Sequence, residues 1–320
     1  MLVTNLKGLN KIIKEEKIMG RGSWTSSSWS SFSSARVAGK GTSGIYTSRA
    51  MKQEFNPLNV VRESCDSVDH PESTPIILGL DVTGSMSSIL NVMAEKIGLV
   101  MGEIYKRNPV PDPQILFSAI GDAVYDRYPL QVTQFESDIR IAEQLTEVYF
   151  ERGGGGNCFE SYPLTWYFAA NHTKTDQYEK RGKKGYIFTF GDDGYPEVLT
   201  RKEIQEIFGD TVYEDIPTEQ ILKQVQKKYE VWHFCMAQGG SYRETDFDKW
   251  QKLLGERAVR ITDYTKIPEM IVAILQMSNG MTKEEVLKTW DKSTAMVLAG
   301  STPGAIKKKE EGFLKKLVNF

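Results

Sequence analysis

Groups that often betray an enzyme are scarce in this chain of 320 residues. It has three cysteines, Cys65, Cys158 and Cys235, an odd and scattered set without a Cys-x-x-Cys pair. That excludes a disulfide framework and a thiolate metal site, and it leads us to expect a reducing, cytoplasmic location. Three histidines, His70, His172 and His233, occur without a His-Glu-x-x-His motif, which argues against a histidine-bound zinc enzyme. No apolar run approaches ~18 residues, so no transmembrane helix is expected. An excess of one charge is missing too: 40 Lys+Arg face 42 Asp+Glu, for a net −2, and a strongly basic nucleic-acid binder is excluded. A phosphate-binding loop fails at Gly39-Lys40, which is followed by Gly41 and has Ser34 where the first glycine belongs. No Gly-x-Ser-x-Gly nucleophile elbow occurs. What is present, 40% hydrophobic and 26% charged residues, is the make-up of an ordinary globular protein, and the length fits one large domain with extensions or at most two domains.

The near-neutral total hides a division. Residues 1–22 carry five bases and two acids, residues 304–320 carry five lysines and two acids, and each end is therefore +3. Against a total of −2, the body between them holds −8. The first stretch has no 7–15-residue apolar run or small-residue cleavage site of a secretory signal, and Met19-Gly20-Arg21-Gly22 offers a second translation start. Residues 23–34 contain eight serines with Trp24, Trp29 and Phe32 among them. Serine at that density gives a flexible leader, whereas aromatics at that spacing suit an arm that docks on the domain or on a partner. At the other end Phe313, Leu314, Leu317 and Val318 form an apolar stripe beside Lys315 and Lys316, able to pack on the domain or to bind a partner or anionic surface.

Regular patterning begins at residue 75. An apolar run at 76–80 reads as a buried strand, and Met86, Ile89, Leu90, Met93, Ile97, Val100 and Ile104 then mark one face of a long helix. Strands follow at 114–121 and 130–135, joined as a hairpin, then at 185–190, 230–236 and 258–261. Helices are expected at 139–150, 161–170, 218–228, 246–254, 268–276 and 284–288. Strand alternating with helix, with one hairpin, predicts an α/β fold: three layers, doubly wound, with a mostly parallel sheet and one antiparallel edge strand. We divide the chain into an N-terminal extension (1–72), a central domain (73–280) and a helical, basic tail (281–320). Ligands of such sheets bind beyond the carboxyl ends of the strands.

Chemistry gathers at three of those ends. Asp81, Thr83 and Ser85 put three oxygen-bearing side chains on the loop entering the long helix, a set that suits a hard cation or, more simply, a helix cap. Gly153 to Gly156 then Asn157 form a loop in which backbone can approach a site closely, or a flexible connection with an Asn cap. Glu160 beyond it reads as a first-turn acid favoured by the helix dipole. Gly191, Asp192 and Asp193 leave the strand at 185–190 with two adjacent carboxylates, which a solvated turn explains less well.

Together these segments resemble the von Willebrand factor type A domain, whose metal-ion-dependent adhesion site combines an Asp-x-Ser/Thr-x-Ser loop, a Thr or Asp after a glycine pair, and an Asp at a later strand end. Asp81, Thr83 and Ser85 match the first element. The run from Gly154 to Asn157, with Glu160 and Ser161, is similar to the Gly-Gly-Gly-Asp-x-x-Glu-Ser variant, with Asn where the acid is expected. Gly191-Asp192 matches the third, Asp193 being the other choice. The resemblance covers residues 75–280 and implies Mg²⁺ or Mn²⁺ held by Asp81, Thr83, Ser85, Asn157 and Asp192. It also implies one coordination position left for a Glu or Asp of a partner protein, without catalysis.

Cytosolic members of that family often work beside AAA+ ATPases, which makes such a complex the expected assembly. Asn157 removes one negative charge from the site, so a structural or assembly protein with a vestigial metal site is one alternative. The other, a haloacid dehalogenase-like phosphohydrolase, needs an acid two residues after Asp81, where Thr83 stands.

Overall fold

A computed structural model describes residues 22–151, 153 and 156–302. The second start at Met19, the glycines at 154 and 155, and the basic stripe after residue 303 lie outside the described residues. In chain order the strands are β1 (Arg62–Ser64), β2 (Thr74–Asp81), β3 (Pro113–Ile120), β4 (Leu130–Val132), β5 (Thr173–Thr175), β6 (Gly185–Gly191), β7 (Val198–Leu199), β8 (Ile216–Pro217), β9 (Tyr229–Met236) and β10 (Ala258–Ile261). Six of them form one sheet in the order β10-β9-β6-β2-β3-β4, parallel throughout except for the antiparallel edge strand β4. β1 pairs with β5, and β7 with β8, in two small ribbons.

The expected α/β architecture is therefore present, and its cause is visible in β2. Every residue of that strand is buried, because Ile76, Leu78 and Leu80 enter the core on one face while Ile77 enters the core on the other. Helices Ser87–Arg107, Arg140–Glu147 and Ile267–Ser278 cover the first face. Tyr162–Asn171, Thr218–Val225 and Glu244–Leu254 cover the second. Among the described residues no helix is long and apolar enough to cross a membrane.

Differences from the expected elements have local causes. The edge strand stops at Val132 because Thr133 accepts the Phe117 N–H through its hydroxyl oxygen (2.8 Å), so a side chain replaces the next ladder carbonyl. The helix expected to reach residue 150 ends at Glu147, where Val148 turns extended. Ser26–Arg36 is a helix capped by Thr25, although no residue of it is buried; Trp24, Trp29 and Phe32 pack half-buried against the first core. The aromatic spacing thus serves docking on the domain. Val37, Ile45, Tyr46 and Phe55 from the N-terminal extension, and Val286 and Leu298 from the C-terminal helices, lie in that same core.

Candidate metal centre

Parallel register sets strand ends side by side. Asp81 of β2 lies opposite Ile120 of β3, and Leu80 opposite Phe190 of β6. The loops leaving β2, β3, β6 and β9 therefore meet over one edge of the sheet, as expected for a doubly wound fold.

Asp81 is wholly buried. Its Oδ1 accepts from the Thr83 N–H (2.9 Å) and hydroxyl (2.6 Å), and its Oδ2 accepts from the Tyr162 hydroxyl (3.1 Å). The Thr83 and Ser85 hydroxyl oxygens are 3.4 Å apart, and the Ser85 hydroxyl donates to Asp192 Oδ1 at 2.9 Å. Asp192 Oδ2 accepts from the Ser241 N–H at 2.8 Å. Four of the five candidate ligands thus stand together as two hydrogen-bonded pairs, Asp81–Thr83 and Ser85–Asp192, whose hydroxyl oxygens lie side by side. It is Asp192 that faces Ser85, while Asp193 lies 3.7 Å from the Arg243 guanidinium.

Asn157 joins neither pair through a hydrogen bond, and both its amide atoms are buried without a hydrogen-bond partner among the described residues. Its loop is nonetheless at the site. The Gly84 N–H donates to the Gly153 carbonyl at 2.7 Å, and the Glu160 N–H donates to the Gly194 carbonyl at 3.1 Å. Cys158 holds a left-handed conformation (φ 62°), and its carbonyl accepts from Arg243 at 2.7 Å.

Crowded buried acids resist ionisation. Burial first, and the Asp192 charge second, push the Asp81 carboxyl well above the ordinary carboxylate range. Burial likewise raises Asp192, against hydrogen bonds from Ser241 and Ser85. Asp193 is pushed up to about 6 by burial and Asp192, with Arg243 opposing. A cation placed here would favour the ionised carboxylates instead.

Further acids and glycines of the site lie outside the five candidate ligands. Glu160 is no first-turn acid: it precedes the N-cap Ser161, is 3% exposed, and its Oε2 has no hydrogen-bond partner among the described residues. Asp122, beyond β3, is fully buried, its Oδ2 has no partner among the described residues, and its backbone N–H donates to Asp126. The signal was there, since Gly121-Asp122 repeats the Gly-Asp strand end of Gly191-Asp192. Gly239 and Gly240 close the site from β9. A Cβ at Gly239 would lie 2.2 Å from that of Asp192, so only glycine lets this loop approach.

The donor set of two carboxylates, two hydroxyls and an orphaned amide oxygen is all hard oxygen, of the kind Mg²⁺ or Mn²⁺ takes. Among the described residues no three His, Cys, Asp or Glu side chains stand together as a metal-holding group, so the hydroxyls and the amide are needed to complete it. The cysteines take no part and are all free thiols.

No family model matches the chain, and no curated protein matches it. Among solved structures, the pilus adhesin SpaC from Lactobacillus rhamnosus GG in an open conformation is similar at a TM-score of 0.43 and 9% identity, over 72% of this chain and 31% of the adhesin. A second crystal structure of that adhesin gives 0.44 and 11%, over 68% and 31%. The chain spans about a third of the adhesin's length, and a likeness this distant carries no argument about what the chain does.

Proposed function

We propose that the chain is a non-catalytic recognition module that binds a partner protein through a divalent cation. Mg²⁺ or Mn²⁺ would be held by the Thr83 and Ser85 hydroxyls, the Asn157 amide oxygen, and Asp81 and Asp192. The cation would lend its charge to an incoming Glu or Asp side chain. One observation carries the reading: the adjoining pairs Asp81–Thr83 and Ser85–Asp192 at the carboxyl edge, with two buried carboxylates that have no neutralising base in their hydrogen-bond shells among the described residues. Buried acids without a counter-charge are costly, and a cation among them removes that cost. The family resemblance adds an AAA+ ATPase as the class of assembly, and the scattered thiols add the cytosol.

Calorimetry with Mg²⁺ tests the cation. The wild-type chain is expected to bind one ion, and Asp81→Ala to bind it at least ~10-fold more weakly. Equal binding by both proteins sinks the site. Two further measurements separate the alternatives. Hydrolysis of a generic aryl phosphate that disappears with Asp81→Ala would establish the phosphohydrolase. Partner capture unchanged by a chelator would establish an assembly protein that needs no metal.

A further inference from the structure

The geometry points to Tyr162 as the positioning residue of the proposed cation site, holding the Asp81 carboxylate in place through its hydroxyl and the bare backbone of Gly191. The inference rests on the metal reading above and concerns a residue outside the candidate ligand set.

Tyr162 is wholly buried at the start of the Tyr162–Asn171 helix. Its ring is gripped on two sides, edge-on to His233 (centroids 4.9 Å apart, 73°) and edge-on to Trp250 (5.4 Å, 72°). His233 and Trp250 stack at 3.6 Å, and Thr189 hydrogen-bonds His233 at 2.9 Å, so the frame around the ring is itself fixed. From that frame the hydroxyl reaches Asp81 Oδ2 at 3.1 Å. The route crosses Gly191, where a Cβ would lie 1.7 Å from the hydroxyl oxygen. The glycine before Asp192 is thereby explained: it leaves room for a tyrosine aimed at the other carboxylate.

The consequence runs outward through the hydroxyls. With Oδ2 fixed by Tyr162, Asp81 presents Oδ1 to Thr83, whose hydroxyl proton is committed there. The Ser85 proton is committed to Asp192 in the same way. Both hydroxyl oxygens therefore keep lone pairs free for a cation. Releasing Oδ2 lets the Asp81 carboxylate turn and loosens the first of these commitments. Groups that orient metal ligands at one remove are typically worth ~10–100-fold in affinity.

The test uses the full chain and Mg²⁺ alone. Tyr162→Phe keeps the ring and its two aromatic neighbours while removing the hydroxyl, and calorimetry should find Mg²⁺ bound about tenfold or more weakly. In wild-type protein carrying ¹³Cζ-labelled tyrosine, the Tyr162 resonance should move on adding Mg²⁺ and stay still in Asp81→Ala. A tyrosine serving only the core would leave that resonance unmoved. Suppose the wild type binds Mg²⁺ and Asp81→Ala does not. Then affinity within twofold of wild type in Tyr162→Phe, or an unmoved resonance, overturns the positioning role alone. Absence of Mg²⁺ binding by the wild type overturns the metal reading, and the positioning role with it.

Discussion

Glu160 illustrates how far a single side chain can depart from its local sequence. Burial first, and the charge of Asp81 next, carry its carboxyl from 4.5 to about 10. Between those values the folded chain holds a proton that the unfolded chain releases, so stability falls as pH rises through the window. Glu160→Gln keeps the shape and removes the titration. We expect the metal-free wild type to lose urea resistance from about pH 5 to about pH 9, with a slope steeper than that of Glu160→Gln by up to ~1.4 kcal/mol per pH unit. Parallel slopes for the two proteins would refute the assignment. This residue was illegible because dipole and capping rules consider only the next helix. The acids around it come from the end of β2 and from the loops after β3 and β6, far away in the chain. Asp81, Thr83, Ser85 and Asp192 were legible for the opposite reason, since each sits at the end of a strand that its own apolar run announces.

At the scale of elements, the strands of the central sheet could be read to within about two residues, the edge strand β4 excepted, which is three residues shorter than expected. β2, β6 and β9 are mostly apolar runs, interrupted by Thr189 in β6 and by Glu230 and His233 in β9, and nearly every residue of them is buried. The ribbon of β1 and β5 could not be read: it is three polar-flanked residues a side, and its partners lie more than a hundred residues apart. The Ser26–Arg36 helix also lacks an apolar stripe, and its place depends on what it meets. Trp29 lies over Gly98 of the Ser87–Arg107 helix, where a Cβ would come within 2.2 Å of its ring. That contact makes a prediction of sign. Alanine in a helix interior is favoured over glycine by about 1 kcal/mol, so Gly98→Ala should stabilise a chain lacking the indole. In the wild type it must push the indole away, and it should destabilise. Chemical denaturation of Gly98→Ala in the wild-type and Trp29→Ala backgrounds should show opposite signs, and the same sign in both would mean the arm is not seated there.

For the whole molecule the question is how much of the chain one cooperative fold requires. The N-terminal extension lacks periodicity in its sequence, yet Val37, Ile45, Tyr46 and Phe55 are each 4% exposed or less and lie in the same core as the Ser87–Arg107 helix. The Tyr46 hydroxyl donates to the Leu90 carbonyl at 3.0 Å, and the Ser64 hydroxyl donates to Gln114 at 2.7 Å. Burying one such apolar side chain contributes ~1.5–3 kcal/mol, so the four together contribute about 6–12 kcal/mol. That is comparable with the whole net stability of a domain, ~5–15 kcal/mol. Two truncations should therefore behave differently. A chain beginning at residue 41 loses the half-buried helix and Val37 but keeps Ile45, Tyr46 and Phe55, and it should unfold cooperatively at a lower urea midpoint. A chain beginning at residue 73 loses all four side chains and strand β1, and it should show neither a cooperative transition nor the near-ultraviolet dichroism of packed aromatics. If the shorter chain unfolds as sharply and as late as the longer one, the extension is an appendage. The central domain would then be complete without it.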